Sequence, residues 1–494
     1  MGVGQSQSRR GVQHGFRLFA ANVFWHSLNL IVSYGIAFVT SIVVARSLGP
    51  RGAGIVSYLT WLTDTGALLT GLGYVRALER FLSERLGGGR PDLLSPVLWQ
   101  CFTAIFRVSL FTGVLCALIA SWSLSPKGEW HPGYFLIVPV LVIGGALWVA
   151  TQAASRGLYD FRSLSAAVMV RALGQLLLWY ILLNLGVSLL WLFIVHGCLT
   201  AVTLLYVGSG NGMWRAMRGP RRDPDQSQRI FEYAMRVSLV VIADVIVWQR
   251  SELFFLARYA DTSSMAFFSI AAGFSMVITR LPQGITAVLF PVFARRRGQG
   301  RSGEAKALFV MSTRWICAVS VPLAVLAHSF VEPAVLFMYG QSFSDVAPLA
   351  KILVWSAAVA PMGSPAASYL YTADKERFFV LLAPISIVIN VALAWVLCWR
   401  LGALGAAWAN MLSQLFVTST TLGYLWLKEK LSLPIVDLLR ISALSALYFV
   451  FCRHLSHSGL LGFVGCIVLA GVYLLALIAL GVFREELKEL EGAQ

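Results

Sequence analysis

The sequence predicts an all-α polytopic membrane protein of about 14 transmembrane helices, arranged as two six-helix lobes and two additional C-terminal helices. Of its 494 residues, 58% are hydrophobic and only 13% are charged, which is more apolar than a soluble domain of this size requires. Apolar runs of roughly 20 residues recur throughout, long enough to cross a bilayer as helices and too long for barrel strands. Lys and Arg cluster in alternate connections, as expected when each run crosses the membrane.

The apolar runs follow one another along the whole chain. The first six are Asn22–Ala45, Gly54–Gly73, Leu98–Ser121, Tyr134–Ala154, Leu164–Leu185 and Val187–Val207. The next six are Val237–Leu256, Met265–Phe290, Ala307–Phe330, Ala350–Tyr371, Phe378–Leu397 and Gly402–Leu425. The last two are Leu438–Phe451 and Leu460–Val482. Each run is expected to be helical, because a bilayer offers no water to satisfy exposed peptide groups.

A tight turn closes the first run and leads directly into the second. Residues Ala45–Gly54 read ARSLGPRGAG, and this Gly/Pro composition is typical of a turn. The first two runs are therefore predicted to form a helical hairpin. A fainter copy, Ala257-Arg258, follows the seventh run. Six helices restore the starting orientation, so this echo fits two repeats related by an axis along the membrane normal.

The longest basic connection, Gly208–Arg229, has a linker composition and separates the two predicted lobes. The predicted organisation is a cytoplasmic tail at 1–21, a six-helix lobe at 22–207, a basic cytoplasmic linker at 208–236, a second six-helix lobe at 237–427, and two further helices with a tail at 428–494.

The distribution of Lys and Arg predicts the orientation. Alternating the runs from a cytoplasmic N-terminus places most basic residues, including Arg295–Arg297, on one side. The positive-inside rule then puts both termini in the cytoplasm, with the chain in a bacterial cytoplasmic (inner) membrane. The net charge of +16 follows from this pattern, so anionic membrane lipids are expected partners and nucleic acid is not. The seven cysteines form no CxxC or Cys/His cluster, and no cofactor or metal is expected.

Several ionisable side chains fall well inside the predicted spans, where each costs about 2.5–3.5 kcal/mol near a helix centre. They are Asp64, Arg107, Arg171, Asp244, Arg250, Glu252 and Arg280. One interpretation is a central cavity in which the arginines and Glu252 bind a phosphate-bearing substrate, because arginine forms paired hydrogen bonds with phosphate. The alternative is structural ion pairs, or arginines that extend to the membrane surface. Asp64 and Asp244 are also candidates for carboxylates that couple transport to a cation.

Helix seven is predicted to carry the densest set of charges. In a continuous helix over Val237–Leu256, the side chains of Asp244, Trp248 and Glu252 share one stripe because they are spaced four residues apart. Arg250 lies on a different face of the same helix.

Prolines and one amphipathic segment predict local irregularities. Arg280 precedes Pro282 in the eighth run, where a kink is expected. The segment Pro361–Pro365 predicts a broken tenth helix, and transporters use such helices as gates or binding segments. The amphipathic stretch Val75–Leu86 is expected at the cytoplasmic surface.

Several short motifs occur in a characteristic order. They are Ala45–Gly54, Arg156–Phe161, Leu289–Arg295, Phe337–Phe343, Thr372–Lys375 and, after Asn390, Leu401–Ala409. Together they resemble the polysaccharide-biosynthesis (PST-type oligosaccharide flippase) family of the multidrug/oligosaccharidyl-lipid/polysaccharide (MOP) exporter superfamily. The resemblance implies a MATE-like fold of two six-helix lobes around a cavity that opens alternately to each side. It also implies cationic cavity residues, and it aligns Glu252 with a helix-seven position where many members have Asp.

The function that the resemblance implies is the flipping of a polyprenyl-diphosphate-linked oligosaccharide, a precursor of cell-surface polysaccharide. The implied partners are this anionic lipid-linked glycan, Na⁺ or H⁺ as the coupling ion, and polysaccharide assembly machinery. The alternatives are a MATE-type drug or metabolite antiporter and a lipid II flippase. A membrane glycan polymerase or ligase is disfavoured, because the chain has no HExxH motif and no predicted outside loop longer than about 20 residues. The protein is therefore not expected to be an enzyme.

Overall fold

The computed structural model contains helices and no strands in the residues that it describes. The described backbone comprises residues 2–87, 94–219, 224–299, 302–373, 375, 377–431, 434–455 and 459–482. Within it, the side chains that are not described are those of 2–27, 30, 224–226, 277, 280–288, 290, 291, 294, 298, 302, 459 and 460. The predicted all-α class is confirmed.

Fifteen α-helices follow one another in the described ranges. The first seven are α1 (Gly2–Gly87), α2 (Leu94–Leu124), α3 (Tyr134–Gly157), α4 (Phe161–Asn184), α5 (Leu189–Gly210), α6 (Met213–Ala216) and α7 (Pro224–Trp248). The others are α8 (Glu252–Tyr259), α9 (Thr262–Gly298), α10 (Ser302–Tyr339), α11 (Val346–Val359), α12 (Ser364–Thr372), α13 (Arg377–Leu427), α14 (Ile435–Leu455) and α15 (Gly459–Ala479).

Ten helical segments among the described residues are long and apolar enough to cross a membrane. A crossing needs about 20 residues at about 1.5 Å per residue, so the 51 residues of α13 are enough for two passes. The predicted count of about 14 passes stays a prediction.

The predicted hairpin turn within Ala45–Gly54 is present as a sharp break in α1. Gly49 adopts φ 65° and ψ −177°, a left-handed conformation that glycine reaches without steric cost. Pro50 follows, and its fixed φ suits the start of the next helical segment. A similar break divides α13 at Gly402, with φ 56° and ψ −132°. Both long helices thus change direction at a glycine.

α1 bends a second time at Leu72, whose φ of 38° interrupts the helix. The next residue, Gly73, donates its backbone N–H to the Ser238 hydroxyl of α7 at 3.2 Å, so this buried donor is satisfied. α7 crosses so closely here that a Cβ on Gly73 would lie 2.0 Å from the carbonyl oxygen of Ala234. The glycine therefore lets the two backbones touch.

Beyond the bend, α1 continues as the predicted amphipathic segment. Its apolar residues Ala77, Leu78 and Leu82 are fully buried in a cluster with side chains of α2 and α3, whereas Arg76 and Arg80 are exposed. The apolar face thus packs on protein, and burial of each leucine stabilises the fold by about 1.5–3 kcal/mol.

We expect Gly73→Ala to destabilise the protein by about 1–3 kcal/mol, since overpacking against a fixed backbone forces the helices apart. Thermal unfolding of the purified protein in detergent measures the effect as a fall of several degrees in apparent Tm. Gly35→Ala is the matched control, because Gly35 lies in the same helix and a Cβ there has no neighbour within 4 Å. Equal Tm values for the two variants would show that α1 and α7 do not meet at Gly73.

Helix seven is not continuous. α7 ends at Trp248, Arg250 has a φ of 59°, and α8 begins at Glu252. The predicted continuous helix over Val237–Leu256 is therefore wrong, and so is the single stripe that placed Asp244 on the same face as Trp248 and Glu252. Polar side chains of α13 bind the start of α8 and favour this break over the regular helix that apolar periodicity predicts.

The predicted break in helix ten is confirmed. α11 ends at Val359, a 3-10 turn covers Ala360–Gly363, and α12 begins at Ser364. The two prolines at either end of Pro361–Pro365 lack the N–H that a regular helix requires, which explains the interruption.

Contacts divide the chain into two compact units, Met1–Val245 and Ile246–Gln494. In the first, one buried cluster joins α1, α2, α3 and α7. In the second, α10 packs against both α14 and α15, and Arg314 of α10 forms a 2.8 Å ion pair with Asp437 of α14. The sequence-based boundaries at 22–207, 208–236, 237–427 and 428–494 stay a prediction.

Candidate functional site

In the first unit, a polar site forms around Arg171 of α4. Its Nη1 donates to the Thr200 hydroxyl of α5 at 3.1 Å, and its guanidinium carbon lies 5.4 Å from the ring centroid of Trp148 on α3. Thr200 in turn donates to the carbonyl oxygen of His196 at 2.8 Å, so its free lone pair faces the arginine. Three helices therefore fix the orientation of this cation.

His196 and its neighbours extend this site along α4 and α5. The His196 ring nitrogen Nδ1 lies 3.2 Å from Gln175 Oε1, and its ring packs against Trp179 at 6.4 Å between centroids. The Trp179 indole N–H donates to the Leu192 carbonyl at 3.1 Å. The polar groups are thus held by aromatic rings and hydrogen bonds within an apolar helix pair.

Asp64 and Arg171 carry opposite charges that act on one another. The two side chains interact electrostatically, although they lie in different helices, α1 and α4. Asp64 is exposed and Arg171 is partly exposed, so the protein buries neither side chain completely. A fixed guanidinium with a compensating carboxylate is able to bind an anion that replaces the carboxylate's interaction.

In the second unit, Glu252 forms a fully buried carboxyl site at the start of α8, with 0% of its side chain exposed. Asn410 of α13 donates through Nδ2 to Glu252 Oε1 at 3.1 Å. The Asn410 side-chain oxygen, Oδ1, accepts a hydrogen bond from the Ser356 hydroxyl of α11 at 2.8 Å. Glu252 Oε2 is buried and makes no hydrogen bond of good geometry among the described residues, although the Asn390 amide and the Glu252 backbone N–H lie near the carboxyl.

A second asparagine holds the residue before Glu252. The Ser251 hydroxyl donates to Asn390 Oδ1 at 2.7 Å, and Asn390 Nδ2 donates to the Ser413 hydroxyl at 3.2 Å. Asn390 and Asn410 lie on the two arms of α13, on either side of its break. The hydrogen bonds of the two asparagines therefore fix the start of α8 and the position of the buried carboxyl.

Asn390, Asn410 and Ser356 were not predicted as site residues. A signal for the asparagines was present in the sequence, because an amide side chain inside an apolar run usually binds another helix. Serine is common in membrane helices, so Ser356 gave no comparable signal.

Two further predicted residues lie close to a partner. Arg250 is partly buried and interacts electrostatically with Glu252. Asp244 is exposed on α7 and interacts with Arg76 of α1. Arg76 also pairs with Glu79 at 3.1 Å. Asp244 therefore belongs to a charged network of the first unit and is not grouped with the Glu252 site.

The remaining predicted arginines are not brought to either site by the described contacts. Arg107 is exposed on α2, next to the exposed side chains of Phe106 and Leu110. The backbone of Arg280 lies within α9, and its side chain is outside the described residues. Among the described residues, no group of three or more His, Cys, Asp and Glu side chains is arranged to hold a metal ion.

These features define a multi-pass α-helical membrane protein with ionisable groups inside its spans. The chain belongs to the polysaccharide biosynthesis protein family, whose model matches residues 19–296, more than half of its length. The model of the MatE family matches residues 241–396. The family resemblance of the sequence motifs is confirmed.

One relative is the succinoglycan biosynthesis transport protein ExoT of Rhizobium meliloti (strain 1021), with 23% identity over 342 residues. The match covers 68% of this chain and 65% of that protein's length.

Solved structures show the same fold. The lipid II flippase MurJ, in an inward closed conformation, has a TM-score of 0.72 at 12% identity, covering 94% of this chain and all of that one. A multidrug resistance MATE family transporter of the MOP superfamily, in an inward-facing conformation, has a TM-score of 0.63 at 15% identity, covering 83% of this chain and 99% of the other. The predicted MATE-like architecture is confirmed.

Proposed function

We propose that the protein flips a polyprenyl-diphosphate-linked oligosaccharide across the bacterial cytoplasmic membrane by alternating access. Its membership of the polysaccharide biosynthesis protein family supports this function. The similarity to a succinoglycan biosynthesis transport protein supports it further. A fold shared with a lipid II flippase is compatible with a large lipid-linked substrate.

The observation that carries this proposal is the fixed guanidinium of Arg171. Arginine has five N–H donors, and the bond to Thr200 uses one of them. The other N–H groups of this partly exposed guanidinium suit the oxygens of a diphosphate, which accept paired hydrogen bonds. Asp64 balances the arginine charge when no substrate is bound. Arg107, Arg250 and Arg280 remain further candidates for substrate contacts.

Within the same proposal, Glu252 binds the coupling ion, Na⁺ or H⁺. An ionised carboxylate that is buried with one unpaired oxygen costs several kcal/mol, so this group favours the state in which a proton or a cation is bound. Asp64 and Asp244 are less suited, because both are exposed and each interacts with an arginine.

A MATE-type drug or metabolite antiporter is the second candidate. The buried acid Glu252 favours it, since it lies within the residues matched by the MatE model. An organic-cation substrate would, however, gain no hydrogen bond from Arg171, because a guanidinium has only donors and a positive charge. A lipid II flippase would use the same diphosphate chemistry, so the substrate itself must distinguish it from an oligosaccharide flippase.

We further propose that both termini lie in the cytoplasm and that the substrate crosses the membrane without a chemical change. Polysaccharide assembly proteins are the partners expected to supply the glycan on one side and to use it on the other.

We expect deletion of the gene to remove the surface polysaccharide and to accumulate its complete lipid-linked oligosaccharide, because synthesis precedes flipping. Mass spectrometry of extracted lipids identifies the accumulated species, and a plasmid copy of the gene should reverse both effects. Accumulation of lipid II would favour the lipid II alternative. An unchanged lipid profile with reduced drug resistance would favour the antiporter and contradict the proposal.

A further inference from the structure

A cavity of about 270 Å³ lies between α10 and α14 in the second unit. It is lined by His328, Ser329, Phe449 and Arg453. Arg453 lies in the last turn of α14, and His328 lies near the end of the ninth apolar run. Both residues are therefore near a membrane boundary, where lipid headgroups are found.

The polar lining of this cavity is held by hydrogen bonds to neighbouring groups. The Trp355 indole N–H donates to His328 Nδ1 at 3.2 Å. An indole nitrogen only donates, so Nδ1 accepts and the neutral ring carries its hydrogen on Nε2. The Lys351 backbone carbonyl is a further hydrogen-bond partner of this ring, so α11 holds His328 in place, and the cationic group of the lining is the Arg453 guanidinium.

The neighbouring charges also favour an anion. The ammonium of Lys351 interacts with His328 and pairs with Glu332 at 2.7 Å, so the charge of this nearby carboxylate is compensated. The Ser329 hydroxyl donates to the Val325 carbonyl at 2.9 Å and is held by its own helix.

The surface next to the cavity is apolar and faces outwards. Val450 and Phe451, which precede Arg453 on α14, are 55% and 49% exposed. Phe449 forms part of the cavity wall and packs edge-on against His328 at 5.4 Å. A cationic group beside exposed apolar side chains at a membrane boundary matches the arrangement of a lipid phosphate above its acyl chains.

We propose that this cavity binds a phosphate group, with Arg453 as its cationic anchor. The geometry favours a lipid as the source of the phosphate. The site does not depend on the proposed transport substrate, because none of its lining residues is one that we propose to bind that substrate or the coupling ion.

The test titrates the purified full-length protein with dioctanoyl-phosphatidylglycerol and, separately, with inorganic phosphate, using native mass spectrometry and thermal shift. We expect Arg453→Ala to weaken binding of the lipid about 10- to 100-fold, as for loss of hydrogen bonds to a charged group. Arg400→Ala is the matched control, since Arg400 is an exposed arginine of the same unit. Arg453→Gln serves if the alanine variant is not recovered folded.

Arg453-dependent binding of the lipid alone supports a lipid-phosphate site. Equal Arg453-dependent binding of inorganic phosphate supports a phosphate site that is filled from solution. The proposal would be overturned if wild type, Arg453→Ala and Arg453→Gln bound each ligand with the same affinity. This holds whatever the outcome of the transport experiments.

Discussion

Glu252→Gln is expected to reduce gradient-driven transport about 10- to 100-fold. This factor corresponds to the free energy of a hydrogen bond to a charged group. Glutamine keeps the volume of the side chain and the acceptor for Asn410 Nδ2, so the local fold should persist. It cannot ionise, and therefore cannot exchange a proton or pair with Na⁺ at the buried Oε2 position. Surface polysaccharide and lipid-linked intermediates in a complemented deletion strain report the effect.

The contrast with two other variants makes this result specific. Glu232→Gln is the control, because Glu232 is an exposed acid that pairs with Arg236. Glu252→Ala should also lower stability by about 1–3 kcal/mol, since it leaves the partly buried Asn410 donor without an acceptor. Wild-type transport by Glu252→Gln at equal protein level would show that the carboxyl only stabilises the start of α8.

Arg171→Ala should weaken binding of the lipid-linked diphosphate about 10- to 100-fold, again as expected for loss of charge-assisted hydrogen bonds. Arg171→Lys should retain part of the activity, because it keeps the charge but not the planar pair of donors. Thr200→Val should have a smaller effect of the same sign, since it removes the hydrogen bond that orients the guanidinium. Flipping rates against substrate concentration in proteoliposomes measure all three.

Arg162→Ala is the control for this series, because Arg162 is an exposed arginine near the start of the same helix, α4. The substrate-binding role of Arg171 would be wrong if Arg171→Ala and Arg162→Ala transported with the same dependence on substrate concentration. A stability loss in Arg171→Ala without a transport defect would instead identify Arg171 and Asp64 as a structural pair.

The helix breaks that glycine and proline produce were predictable from the sequence. The turn at Gly49 and the interruption at Pro361–Pro365 follow from local backbone chemistry, namely a residue that accepts φ > 0 and residues without an N–H. Such signals act within a few residues, so they can be interpreted without knowing how the helices pack.

The break in helix seven had no such signal. The stretch Trp248–Glu252 contains neither glycine nor proline, and its interruption depends on Asn390 and Asn410, which are distant in sequence. The spacing of apolar residues correctly predicts the helices on either side, α7 and α8. Tertiary hydrogen bonds interrupt the helix between them. A single sequence does not show which distant amide will reach the start of α8.

The intramembrane charges were predictable as a set but not as pairs. Each costs free energy inside a bilayer and therefore needs a partner or water. The sequence alone is enough to identify these residues and this requirement. Packing alone decides that the charge of Asp64 acts on Arg171, that the charge of Asp244 acts on Arg76, and that Arg107 lies on an exposed face of α2.

The most direct test uses the purified protein in vesicles that contain a fluorescent polyprenyl-diphosphate-linked oligosaccharide. An enzyme added outside, which cleaves the glycan and cannot cross the membrane, measures how much substrate reaches the outer leaflet. We expect wild-type protein to expose the inner-leaflet pool when a Na⁺ or H⁺ gradient is imposed, and Arg171→Ala and Glu252→Gln to expose far less. Flipping would be contradicted as the function of this protein if the added enzyme cleaved no more substrate in vesicles with wild-type protein than in protein-free vesicles.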